Sequence, residues 1–291
     1  MNLISILVTL AIEHYYSAVQ SMRRYDWFHS YASALYAKLE GQDWRNGPLG
    51  VVLIITIILF AIWLISAMLA SVAGSLSFLF ATAVLIYTMG PTDLAQQADD
   101  FHDAVNNKNE EAIRIAAQQI IGCEASDLST LSFTEIGRMV QHSILTESIT
   151  RVFAVILWFL LLGPIGAALL RMASELDKYR ASMGDGFIKS VEDLLEILNW
   201  LPVRLAVISF ALAGSFTDTV SRWTSLSDFW KDKNETLLTD SAMGAMQNEP
   251  VDDEEENDCL EAIQQTISLI KRTLIVWLAV IAILTLTGQI F

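Results

Sequence analysis

Charge is scarce in this chain. Only 18% of its 291 residues are charged, against the roughly 25% usual in soluble domains, while 53% are hydrophobic. Basic side chains are scarcer still, with 18 Lys and Arg against 33 acids and a net charge of −15. No basic stripe is present, which excludes a nucleic-acid partner, because phosphate backbones are bound by clustered Lys and Arg. The two cysteines, Cys123 and Cys259, lie in polar stretches and form neither a CxxC pair nor a metal spacing. Free thiols on a reducing face are expected. The four histidines, His14, His29, His102 and His142, are dispersed.

Nucleotide and hydrolase motifs are also missing. No G-x-x-x-x-G-K-[ST] loop occurs; Gly184 to Ser190 echoes one but lacks the glycine before Lys189. Nor is there a G-x-S-x-G elbow, an HExxH pair or a dinucleotide fingerprint. The acids around His102 (Asp99, Asp100, Asp103) point to different sides of a helix start, so no metal site is expected. Met1 to Ile12 is apolar without a basic n-region or a small-residue cleavage site, and reads as a retained segment.

What the chain does have is long charge-free runs. Together with a mean hydropathy of +0.44, they predict an all-α, polytopic membrane protein with about four to six membrane segments and helical cytoplasmic loops. One integrated domain is expected. Residues 1–48 supply an N-terminal helix and an interfacial helix rich in Trp, Tyr and Arg. If the first helix runs on through Glu13, that carboxylate lies near membrane depth; the alternative places it among the headgroups. Residues 49–90 form a hairpin, with Leu49 to Leu69 and Leu76 to Met89 divided at Ser71 to Ser75.

Residues 91–151 read as a soluble helical loop. Gln96 to Gln119 shows helical periodicity, with Ala104, Ala112, Ile115 and Ala116 facing inward, and Ser132 or Thr134 caps a helix reaching Glu147. Val152 to Leu170 is a membrane segment broken or re-entrant at Gly163-Pro164. Ser190 to Trp200 is a short amphipathic helix aimed at the mouth of an apolar run that opens with Pro202 and Arg204. Residues 217–273 form a polar loop with a disordered acidic run at 249–258, and 274–291 the last span. Arg45, Arg151, Lys271 and Arg272 beside span ends favour a cytoplasmic face for the long loops, while Arg171, Lys178 and Arg180 argue the other way.

Arg204 is the costly residue. At the bilayer centre an arginine costs at least about 2.5–3.5 kcal/mol, so it persists only near an interface or beside a partner.

The stretch Leu194 to Leu205, LLEILNWLPVRL, resembles the "L-x-W-V-P-V-R-L" region of the AmpE family of inner-membrane proteins, associated with the beta-lactamase regulon. More distantly it resembles the "D-D-L-L-N-W-I-P-A-R-L" of the CobD/CbiB membrane proteins of cobalamin synthesis. Ala154 to Ala167, with Trp158, Gly163, Pro164 and Gly166, is similar to their "A-P-L-F-W-F-A-L-G-G-P-P-G-A". Asp177 falls on an acidic position shortly after it. The second resemblance implies an ATP-dependent amidation joining a corrinoid carboxylate to an aminoalcohol phosphate. However, the family's "E-S-L-A-E-N-T-V-D-G" acids fall on His142, Thr146 and Thr150, with Glu147 displaced by one position, and Leu195 replaces a paired aspartate.

The leading expectation is therefore an AmpE-like modulator of cell-wall stress and beta-lactamase response, without evident catalysis and without a cofactor or metal. The CobD/CbiB-type synthase, which alone would use ATP and Mg²⁺, is the second reading, and a membrane assembly protein the third. In each, Arg204 is expected to meet one or more of Glu13, Asp177 and Glu196, near Asn199 and Trp200. That arrangement forms either an internal salt bridge or a pocket for a phosphate- or carboxylate-bearing ligand. Beyond the bilayer, a membrane or cytoplasmic protein partner is expected.

Overall fold

The computed structural model describes residues 2–15, 24–89, 94–122, 128, 131–179, 183–225, 233–247 and 256–287. All regular structure among them is helical. The chain divides into two compact units, each drawn from separate stretches: Met1–Pro91, Thr150–Pro202 and Ile281–Phe291 in the first, Thr92–Ile149 and Val203–Val280 in the second.

The first unit contains α1 (Asn2–Tyr15), α2 (Asp26–Lys38), a 3₁₀ turn (Asp43–Asn46), α3 (Pro48–Val72), α4 (Gly74–Thr88), α8 (Ala154–Leu162) and α9 (Pro164–Lys178). Pro48 opens α3, where its missing N–H is not needed. Ala73 takes an extended conformation (φ −160°, ψ 135°) and splits the charge-free run into the expected hairpin. The flank of α3 is studded with exposed Leu49, Val52, Phe60, Trp63 and Met68. An apolar surface of that extent is stable in hydrocarbon and not in water. The helix α9 packs against α2, α3, α4 and α8 and is the hub of the unit.

The expected break at Gly163-Pro164 is complete: α8 ends at Leu162 and α9 starts at Pro164. Gly163 sits at φ 64°, ψ −150°, a region open essentially to glycine alone. Upstream, a π-helical turn (Ile149–Phe153) joins α8 to α7 (Phe133–Ser148).

The second unit contains α5 (Leu94–Asn106), α6 (Glu110–Ile121), α7, α11 (Phe216–Ser225) and α12 (Asn234–Met246). The helical periodicity over Gln96 to Gln119 is carried by two helices. Lys108 turns the chain at φ 52° and Asn109 caps α6 by accepting from the Ala112 N–H. Ala104 and Ala116 are buried as expected, but Ile115 is half exposed. Ser132 caps α7 in a reciprocal box with Glu135. Phe101, Ala117, Leu128, Val140, Ile144 and Cys259 belong to one apolar core. Cys259 is buried in that core; Cys123 lies outside the described residues.

Two long helices contribute to both units, α10 (Asp185–Ala213) and α13 (Glu256–Leu286). The short amphipathic helix expected over Ser190 to Trp200 is thus part of a 29-residue helix with Pro202 inside it. The expected polar loop of 217–273 is largely helical, as α11, α12 and the first half of α13, and 249–255 of its acidic run lie outside the described residues. Four helical stretches are long and apolar enough to cross a membrane: Pro48–Val72, Phe133–Leu162, Asp185–Ala213 and Cys259–Leu286. Leu3–Ile12 and Gly74–Thr88 are shorter apolar helices.

Candidate functional site

Polar groups gather in each unit. In the first, Arg171 and Glu175 stand one turn apart on α9, both nearly fully buried, with Nη2 to Oε1 at 2.7 Å. His29 on α2 approaches the other carboxylate oxygen at 3.3 Å and stacks on Tyr179 at 4.8 Å between ring centroids. Lys178 lies 3.8 Å from Glu175. The Arg171 guanidinium covers the ring of Tyr25 at 4.6 Å, and the Tyr25 hydroxyl donates to the Tyr87 carbonyl. Burial pushes the Tyr25 phenol up to about 12, although Arg171 pulls in the opposite direction. One carboxylate thus meets three nitrogen groups from two elements. This arrangement locks α2 to α9 and makes breaking the pair costly.

The Gly184 to Ser190 stretch has a structural use in the same unit. The Gly184 N–H donates to the Tyr36 hydroxyl at 2.9 Å, and a Cβ on Gly186 would lie 2.4 Å from the Asn46 carbonyl oxygen. These glycines allow backbones to meet.

Pro202 has no N–H to offer the carbonyl of Leu198, four residues back in α10. The indole Nε1 of Trp158 donates to that carbonyl instead, at 3.0 Å. The helix therefore continues through the proline, because a side chain forty residues away in sequence takes over the missing bond. Around this point Glu196 and Trp200 are exposed and Asn199 and Asp177 half-buried.

In the second unit the start of α12 brings together residues from two other helices. Arg204 of α10, 2% exposed, donates from Nη1 to Oδ1 of Asn234, itself 5% exposed. The next residue, Glu235, lies 3.1 Å from Nε2 of His142 on α7. Consecutive residues of one helix start thus hold a buried guanidinium and a solvent-accessible His–Glu pair. A guanidinium offers two-point binding to carboxylate or phosphate, and a His–Glu pair can accept a proton. Arg204 belongs to the second unit, whereas Glu13, Asp177, Glu196, Asn199 and Trp200 belong to the first; the side chain of Glu13 lies outside the described residues.

Comparison with known proteins gives this site a context. The CobD/Cbib protein family matches residues 6–246. The chain belongs to the CobD/Cbib family. The family match takes in Arg204, Asn234, Glu235 and His142, together with the whole polar cluster of the first unit. The cobalamin biosynthesis protein CobD of Chromobacterium violaceum is 24% identical over 221 residues, 73% of this chain and 68% of the relative. The CobD of Stutzerimonas stutzeri is 27% identical over 134 residues, 45% of this chain and 44% of that protein. The protein AmpE of Shigella flexneri is 33% identical over 101 residues, 34% of each chain. No solved structure matches. Both expected resemblances are found, and the CobD side covers more of the chain, which favours the reading ranked second on sequence alone. This CobD/Cbib-family chain is a multi-pass protein of the bacterial inner membrane.

Sequence reasoning singled out Arg204 but missed Asn234 and Glu235. They sit in a stretch read as a polar loop, 92 residues or more from His142 along the chain. The one local hint was an Asn-Glu pair before Thr-Leu-Leu, a helix-start composition.

Proposed function

We propose that the protein performs the CobD-type step of cobalamin biosynthesis, joining a corrinoid carboxylate to the amine of an aminoalcohol phosphate at the expense of ATP. The family match over residues 6–246 carries this reading. The start of α12 supplies groups suited to it. Arg204, oriented by Asn234, binds an anionic oxygen of one substrate. His142, with Glu235 on Nε2, presents Nδ1 to take a proton from the amine nitrogen as it attacks the carboxyl carbon, which ATP has activated as an acyl phosphate, and phosphate leaves with the C–O bonding pair.

A magnesium ion would arrive on the ATP phosphates and need only one or two carboxylates from the chain. Among the described residues no three of His, Cys, Asp or Glu are grouped to hold a metal. Thr146, at one of the family's acidic positions, spends its hydroxyl on the His142 carbonyl. No step is therefore assigned to such an ion.

An assay of the purified full chain in lipid nanodiscs, given corrinoid acid, aminoalcohol phosphate and ATP, tests the proposal. Amide product is expected. His142→Gln should lower kcat by about 10²–10⁴-fold; a full-rate variant would sink the assignment of His142.

The match to AmpE and the loss of acids at His142, Thr146 and Thr150 favour a second reading, a non-catalytic modulator of the beta-lactamase response. It predicts no amide product, and altered beta-lactamase induction when the gene is deleted.

A further inference from the structure

Two long helical runs pass from one unit to the other, and each is interrupted at the crossing itself. The run from α7 into α8 changes unit between Ile149 and Thr150, where the π-helical turn Ile149–Phe153 begins. Helix α10 changes unit between Pro202 and Val203, at its internal proline. A proline and a π-turn are both places at which helices kink. The third helical crossing, Val280–Ile281, comes close to the end of α13 at Leu286 and has neither feature. The crossing at Pro91–Thr92 lies outside the described residues.

The two interruptions share a local chemistry, in which side chains take carbonyls that the main-chain ladder would otherwise own. In α10 the Leu198 carbonyl has lost its donor to Pro202 and accepts from the Trp158 indole at 3.0 Å. In the last turns of α7 the Thr146 hydroxyl donates to the His142 carbonyl at 2.6 Å and the buried Ser148 hydroxyl to the Leu145 carbonyl at 2.7 Å. Such back-bonding competes with the helix and bends it.

One hydrogen bond ties the two points together. Trp158 stands on α8, just beyond the π-turn, and Leu198 lies one turn before Pro202. A bond to a side chain can open while the main-chain bonds on either side stay closed. The straightness of α10 at Pro202 therefore depends on a group carried by the other interrupted run.

We propose that Ile149–Phe153 and Leu198–Pro202 are paired hinges about which the two units rotate, with the Trp158 indole as the latch. When the indole holds Leu198, α10 runs straight through Pro202; when it releases, α10 kinks there and α8 turns at the π-helical residues. A few positions of this kind absorb the backbone change of a rotation while each unit stays rigid inside. The hinge stands apart from the reaction proposed above, and its test does not involve turnover.

Spin-label distances in the full chain, held in lipid nanodiscs, read the hinge. In a background with Cys123→Ser and Cys259→Ala, labels at Lys189→Cys in the first unit and Glu111→Cys in the second report across it; both positions are exposed. Labels at Glu111→Cys and Glu261→Cys, also exposed, lie within the second unit and serve as the control. The cross-hinge distribution should be broader than the control and should gain weight at a second distance in Trp158→Phe, which keeps a ring and loses the donor. Pro202→Ala, which returns the N–H to α10, should lose that second distance whether or not Trp158→Phe is also present. Because Pro202→Ala adds a main-chain bond, it carries the test even where Trp158→Phe alone does not fold. A cross-hinge distribution no broader than the control, one that Pro202→Ala leaves unchanged, or equal broadening of both label pairs in Trp158→Phe would each overturn the proposal.

Discussion

Arg171 and Arg204 are equally buried and are met in different ways. Arg171 faces a carboxylate and an aromatic ring inside a polar cluster. Arg204 donates to the side-chain oxygen of Asn234, a neutral amide that orients the guanidinium. The solvent-accessible His142–Glu235 pair beside that amide makes the second the better candidate for a substrate site. Tyr25, inside the cluster around Arg171, gives a pH prediction. Its folded pKa is raised from 10.0 to about 12, so the folded state holds the phenolic proton more tightly. The resulting stability is complete below pH 10 and is lost as pH rises through about 12. Unfolding temperatures across that alkaline window should fall less steeply for Tyr25→Phe than for the wild type. Identical slopes would show that the phenol is not held as described.

At the scale of elements, the hairpin of α3 and α4, the cap at Ser132 and the break at Gly163 were all legible in the sequence, because each is set by local residues. The continuity of α10 was not. A proline signals a helix end locally, and only the indole of Trp158, brought from α8, reverses that. The site at the start of α12 was hidden for the same reason, since His142 and Glu235 meet only through the packing of α7 on α12. A double-mutant cycle tests the repair of α10. Trp158→Phe should destabilise the protein by about 1–3 kcal/mol, the cost of an unmet buried carbonyl. Pro202→Ala should restore the backbone donor and remove most of that cost. Additive effects of the two substitutions would contradict the account.

For the whole molecule, the exposed apolar flank of α3 and the four long apolar helical stretches require a bilayer, and the match over residues 6–246 gives the family. Fold class and membrane placement could be read early because hydrophobic runs report on solvent directly. The balance between the two resemblances could not, since the core of the most specific short motif, W-x-P-x-R-L, is shared by both. Its proline and arginine now have separate roles, one in a helix repaired by Trp158 and one at the start of α12. Whether that arrangement still supports amide formation is decided most directly in cells. The intact gene should restore growth on cobinamide precursors to a bacterial strain lacking its own CobD-type synthase, and Arg204→Met, expressed to the same level in the membrane, should not. Absence of growth with the intact gene at verified expression would contradict the proposed function.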